Sequence, residues 1–192
     1  MRHVKKAILV FVVFSALCGF FYPLFMTALS QFFFPWRSNG SIITPGNQIL
    51  GSELIGQKFN SPRYFHGRPS AADPAYNASA SAGSNFGPSN AKFLEEVKKR
   101  VEQVRNENGL PSHTAIPADL VLASASGLDP HVSVESAMLQ VKRIARERGL
   151  PEPEVEKVVN QHIERRLLGI WGQPRVNVLK LNLGMDRLKG ER

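Results

Sequence analysis

Ser126, Asp129 and His131 fall within six residues of one another in SASGLDPH (124–131), and serine, carboxylate and imidazole are the side chains of a nucleophile, an orienting acid and a base. Such triads converge from separate segments around a cleft, which three neighbours on one short stretch do not do. The nucleophile-elbow pattern G-x-S-x-G is absent as well. The segment reads instead as a turn: Gly127 and Asp129-Pro130 reverse the chain while the polar side chains satisfy backbone amides ahead of a helix. A docking surface for another subunit is the other reading of the same turn.

Metal and nucleotide chemistry find little to build on. His66 and His113 are far apart, neither has a ligand-type neighbour at a spacing such as H-E-x-x-H, and His162 sits beside Ile163 in an expected helix. Cys18 is the only cysteine and lies in an apolar run, so the chain beyond that run has no disulfide and no cysteine-based metal site. Neither G-x-x-x-x-G-K-[ST] nor G-x-G-x-x-G occurs, and Ser81-Ala82-Gly83-Ser84 is a small-residue loop that by itself signals a turn. The chain is expected to be non-catalytic by itself, with no metal and no cofactor of its own.

The element that must position everything else is the uncharged run at 7–34, AILVFVVFSALCGFFYPLFMTALSQFFF. About 20 such residues span the ~30 Å core of a bilayer, so the run is expected to be a membrane helix, with the span proper at 7–28. It is roughly twice too long for a cleaved signal peptide, although Ala28-Leu29-Ser30 imitates a cleavage site, and Leu17 and Ser15 around Cys18 reverse the order that a lipidation site needs. Arg2, Lys5 and Lys6 precede the run, whereas Arg37 is the only charge between it and Glu53. Cationic flanks stay inside. That places residues 1–6 in the cytoplasm and residues 35–192 outside, with Phe32, Phe33, Phe34 and Trp36 as an aromatic belt at the outer interface. Ser15, Gly19, Pro23 and Thr27 recur every four residues, which is either a stripe for close helix packing or the ordinary abundance of small residues and proline in membrane helices.

Beyond residue 34 remain 158 residues, enough for one domain with its own core. Three of the 24 basic residues precede the run and all 16 acidic residues follow it, which divides the net charge of +8 into +3 and +5. With no basic run longer than Lys98-Lys99-Arg100 on a domain facing outward, the charge suits anionic lipid or an acidic partner, and nucleic acid is not expected. Residues 38–47 read as a linker and 48–55 as a short strand. The tract at 58–90 is too rich in Gly, Pro, Ser, Asn and Ala for regular structure, yet Phe59, Tyr64, Phe65, Tyr76 and Phe86 punctuate it, which predicts an ordered irregular surface with its rings packed down. Asn90 caps a first helix whose inner face is Phe93, Leu94, Val97, Val101 and Val104 and which stops at Gly109. Residues 120–122 form a strand or a buried short segment. A second helix starts near Ser133 and carries Val134, Met138, Val141, Ile144 and Ala145. A third opens at Pro151, buries Val155, Val158, Val159, Ile163 and Leu167, and stops at Gly169; residues 176–183 (VNVLKLNL) read as a strand. The fold class is α+β: one N-terminal membrane helix and a single helix-rich outer domain with a few strands.

The succession GSELIGQKF, PRYFHGRPSAADPAYNASASAGSNFGPSN, IPADLVLASASGLDPHVS, QVKRIARERGLP and LGIWGQPRVNVLKLNL resembles the KdpC family, the single-span C subunits of bacterial Kdp potassium-transporting P-type ATPases. The resemblance covers nearly the whole chain and is strongest at Arg68-Pro69-Ser70, Ser84-Asn85, Gly87-Pro88 and Leu128-Asp129-Pro130-His131; Ala82 and Ala125 stand where that pattern has glycine. It implies an accessory subunit of an inner-membrane complex that imports potassium with ATP. The partners would be a channel-like subunit that binds the ion and a P-type subunit that hydrolyses ATP, so that potassium and ATP are handled by the complex. On that reading a periplasmic domain caps the channel-like subunit through Tyr64, Phe65, Arg68, Ser84, Asn85, Asp129 and His131. The alternative is a catalytic chaperone that raises the ATP affinity of the hydrolysing subunit, with Ser81, Ser84 and Gln140 as the nucleotide candidates.

Overall fold

The computed structural model describes residues 2–44 and 48–188, so residues 45–47 of the expected linker lie outside the described residues. The chain forms two compact units that divide between Ser52 and Glu53.

In the first unit one helix runs from Arg2 to Phe33 as α1 (Arg2–Ala16), a π-helical turn (Leu17–Phe21) and α2 (Tyr22–Phe33). Among the described residues it is the one helix long and apolar enough to cross a membrane, and none of its side chains is buried. Its 32 residues reach roughly 48 Å, more than the ~30 Å hydrocarbon core. Pro23 explains the wide turn. It has no N–H to offer the carbonyl four residues back, and its ring crowds that carbonyl; one residue earlier the Tyr22 N–H bonds instead to the Leu17 carbonyl, five residues back. Thr27 Oγ1 donates to the Pro23 carbonyl at 2.8 Å.

That turn also changes which side chains share a face. In a regular helix residues four apart drift by about 40°, so Ser15 and Thr27 would stand roughly 120° apart. The additional residue held in the π turn takes back about 100°. Ser15 and Thr27 are thereby brought back to within about 20° of one another, while Pro23 and Thr27, both within the regular α2, keep their offset of about 40°. After α2 come α3 (Pro35–Ser38) and an antiparallel pair, β1 (Ile42–Ile43) with β2 (Gly51–Ser52), which is all that forms of the strand expected at 48–55.

The second unit is built on a three-stranded antiparallel sheet in the order β3 (His131–Ser133), β5 (Arg175–Asn177), β4 (Ile163–Glu164), with Val176 opposite both Val132 and Ile163. Around it lie α4 (Ala91–Asn108), α5 (Val134–Arg148), α6 (Glu152–Gln161) and α7 (Val178–Leu188). Ile144 of α5, Val155 and Val159 of α6, Leu181 and Met185 of α7, and Phe65 from the irregular tract meet with no exposed surface. The caps are local. Asn90 accepts the Phe93 amide and Ser133 accepts the Ser136 amide; Gly109 and Gly149 end α4 and α5 with φ of +62° and +64°. Asp119 ties the start of α5 to the 3-10 turn at Ala118–Leu120, accepting the Ser133 amide at 2.6 Å and the Ser136 hydroxyl at 2.6 Å.

Three expectations need correction, and one left with two readings is decided. The expected strand 176–183 is a strand for only two of its residues, Val176 and Asn177. Asn177 Oδ1 then accepts the Lys180 amide at 3.1 Å and starts α7, whose Val178, Leu181 and Met185 follow helical spacing. The third helix ends at Gln161 because Ile163 leaves it to pair with Val176, and Leu167 is exposed in the hairpin that follows. Of the two readings of 120–122, the buried short segment holds and the strand does not: Leu120 and Val121 are buried at the end of the 3-10 helix. The expected inner face of α4 is only half-covered, Leu94 being exposed and Asn108 the one buried residue of that helix.

Candidate functional site

The irregular tract is fixed from beneath by side chains that act as substitute strand neighbours. Asn182 of α7 accepts the Phe65 amide at 2.8 Å and donates to the Phe65 carbonyl at 3.0 Å. Gln140 of α5 does the same for His66, at 2.8 and 3.1 Å. The Arg143 guanidinium, 1% exposed, donates to the carbonyls of Pro62 and Tyr64, to Asn108 Oδ1 and to Gln140 Oε1. Burial lowers its pKa to about 10, which still leaves it a cation at neutral pH. Arg148, equally buried, pairs with Asp186 at 2.7 Å, donates to the Arg63 carbonyl and lies 5.0 Å over the Tyr64 ring. Backbone without a strand partner is thereby satisfied throughout.

The next stretch is sewn to the turn 124–131. Arg68 Nη1 meets Asp129 Oδ2 at 3.0 Å, and the Ser70 hydroxyl donates to the Gly127 carbonyl at 2.7 Å while accepting the amides of Ala72 and Tyr76. The Ser81 hydroxyl and the Ala82 amide both bond to the Ser126 carbonyl, at 2.9 and 3.1 Å. Two glycines let the backbones come this close. A Cβ on Gly127, whose φ is +67°, would stand 2.7 Å from the Ala82 carbonyl oxygen, and one on Gly83 would stand 2.8 Å from that of Ala125. Two distant segments thus form a single ordered face, with Ser81, Ala82, Ser84, Asn85, Ala125 and Ser126 exposed along it. Ala82 and Ala125, the departures from glycine, point into open surroundings.

Electrostatics concentrate at Asp129. Burial opposes its ionisation, but the side chain and backbone amide of His131 and the Arg68 guanidinium favour the carboxylate and hold its pKa at about 2. His131 lies between Asp129 and Glu164, 3.5 and 3.4 Å away. The Ser126 hydroxyl accepts the Leu128 amide at 3.1 Å and stands 3.4 Å from Ser124 Oγ; among the described residues no bond joins it to His131. These side chains brace a turn, and no nucleophile is aligned with a base. Among the described residues no group of three His, Cys, Asp or Glu side chains is placed to hold a metal.

Of the residues expected to dock a partner, Arg68, Asp129 and His131 come together half-buried, and Ser84 and Asn85 lie exposed on the same face. Phe65 does not belong with them: its ring is wholly inside the core and cannot touch another chain. Tyr64 is half-buried, held by Arg148, Asp186 and the Phe59 ring. Gln140 is 2% exposed with both ends of its amide committed, so it has nothing left for a nucleotide. A cleft of about 240 Å³ is lined by His66, Arg68, Tyr76, Arg100, Glu107 and Gln140 but by neither Ser81 nor Ser84. Burial and the Arg143 charge depress the His66 pKa there, against the pull of the Ser61 carbonyl and Glu107. Sequence reasoning passed over Ser70, Arg143 and Asn182 as members of this arrangement. Arg148 did carry a signal, since it follows Ile144 by four residues and Val141 by seven and so lies on the apolar side of α5, whereas Arg143, one residue from Ile144, stands about 100° around the helix and carried none.

The family model described as KdpC, the c chain of K+-transporting ATPase, matches residues 4–187. A potassium-transporting ATPase KdpC subunit from Methylococcus capsulatus is 51% identical over 98% of this chain and 100% of its own length. The namesake from Caldanaerobacter subterraneus is 50% identical over 96% of this chain and 94% of its own, and that from Mycobacterium bovis 44% identical over 97% and 99%.

Proposed function

The chain belongs to the KdpC family, and on that premise we propose that this non-catalytic subunit of a potassium-transporting ATPase works from outside the membrane as a cap on the channel-like subunit. The helix at 2–33 anchors it, and the cationic flank of Arg2, Lys5 and Lys6 keeps the N-terminus in the cytoplasm. The observation that carries the reading is the single face made from 68–85 and 124–131, partly exposed, irregular and yet tied together by the Ser70, Ser81 and Arg68 side chains. A surface of that kind docks without first having to be ordered. Against direct nucleotide binding through Gln140 stands the commitment of its amide to His66. An effect on ATP affinity would then reach the hydrolysing subunit as a coupling free energy across the membrane.

Cysteine labelling tests both parts. In a Cys18→Ser background, Ala125→Cys is expected to react with a membrane-impermeant maleimide in intact cells when the subunit is made alone, and to be protected when the whole complex is co-expressed. Reaction only after permeabilisation would overturn the topology. Equal labelling alone and in the complex would overturn the docking face.

A further inference from the structure

Between β4 and β5 the chain projects a hairpin whose tip is built almost entirely of large apolar side chains. Leu167, Leu168, Ile170 and Trp171 are 69%, 78%, 72% and 64% exposed. The tip is nonetheless well formed: Leu167 and Trp171 exchange amide-to-carbonyl bonds at 2.8 and 3.0 Å, and the turn between them passes through left-handed Leu168 and Gly169 with φ of +53° and +75°. A non-glycine residue in that conformation is uncommon. Here it holds the Leu168 side chain at the apex.

The surroundings of the tip are cationic. Arg165 and Arg166 precede it and Arg175 follows it; Arg175 Nε pairs with Glu164 at 3.1 Å, and among the described residues no acid pairs with the other two. A hollow of about 400 Å³ beside the tip is lined by Arg165 and Arg175 together with Gln173, Leu167 and Trp171, so that charged and apolar residues border the same space. An apolar apex of leucine, isoleucine and tryptophan within a collar of arginines matches the layering of a membrane surface, with acyl chains below and phosphates above. The same chain carries a membrane helix, and the roughly 20 residues from Phe33 to Glu53 extend to at most about 70 Å, which keeps a bilayer at high effective concentration.

We propose that the 165–175 hairpin is a second membrane contact, its Leu167–Trp171 tip entering the headgroup region of an anionic phospholipid bilayer while Arg165, Arg166 and Arg175 engage the phosphates. The chain has two tryptophans, Trp36 and Trp171, so Trp36→Phe makes Trp171 a sole reporter. The full-length variant is reconstituted into vesicles of phosphatidylcholine alone or with a quarter phosphatidylglycerol, each with and without dibrominated phosphatidylcholine. Trp171 emission is expected to be blue-shifted and quenched by the brominated lipid, more strongly with phosphatidylglycerol. Arg165→Gln with Arg166→Gln is expected to lower the inserted population about fivefold per arginine removed in the anionic vesicles. Leu168→Ser with Ile170→Ser, two exposed positions, is expected to abolish quenching with the thermal transition unchanged. Water-like emission and no quenching in either vesicle would overturn the proposal, as would shielding of Trp171 that arises only when the other subunits are added, which would assign the tip to a protein groove.

Discussion

Asp129 joins segments 68–85 and 124–131 by charge, and its titration should be visible in the stability of the protein. Its pKa is about 2 in the folded state, below its ordinary value near 4, so the unfolded chain takes up a proton first as pH falls. The stabilisation is therefore complete above about pH 4 and is lost as pH drops toward 2. Solvent reaches part of the carboxylate, so the effect is about 1 to 2 kcal/mol rather than the full value of the shift. Asp129→Asn is expected to lower stability at pH 7 by that amount and to flatten its decline between pH 4 and 2, as read by chemical denaturation across that range. Little of this was legible beforehand. SGLDPH could be read as a turn from its own residues, but the Arg68 that fixes Asp129 lies 61 positions earlier, and no local pattern announces a partner at that distance.

At the scale of elements, the tract from 62 to 66 behaves as a strand whose neighbours are side chains. Asn182→Ala would strand both the amide and the carbonyl of Phe65 in the core, at about 1 to 2 kcal/mol each, and a fall in Tm of roughly 6 to 15 °C is expected by calorimetry on the full-length protein. The helices α4 and α5 were legible in sequence because their signals are local: Asn90 and Ser133 at one end, Gly109 and Gly149 at the other. The α7 segment was not. Leu179, Leu181 and Leu183 alternate as a strand would, and the competing helical set Val178, Leu181 and Met185 prevails because Asn177 caps it and the core lies on that side. The hairpin was missed for a related reason. Ile163 and Leu167 continue the four-residue spacing of α6, and only pairing of Ile163 with the later Val176 takes the chain out of the helix.

For the whole molecule, the membrane helix is the part most fully legible in sequence, since its length and lack of charge follow from composition alone. The π turn was not legible, although Pro23 is its cause, and it is what brings Ser15 back to the side of the helix that carries Thr27. Gly19→Leu is expected to leave the chain membrane-inserted, because leucine is apolar and a Cβ there meets no other part of the chain within 4 Å. It should still cut co-purification with the other subunits several-fold; unchanged recovery of active complex would remove the stripe from the assembly. The amide clasps of Gln140 and Asn182 have a wider consequence. Because these clasps grip the tract at its inner edge, mutations on the outer edge can retune which surface it recognises without unravelling the scaffold, so partner choice and foldability can drift separately in evolution.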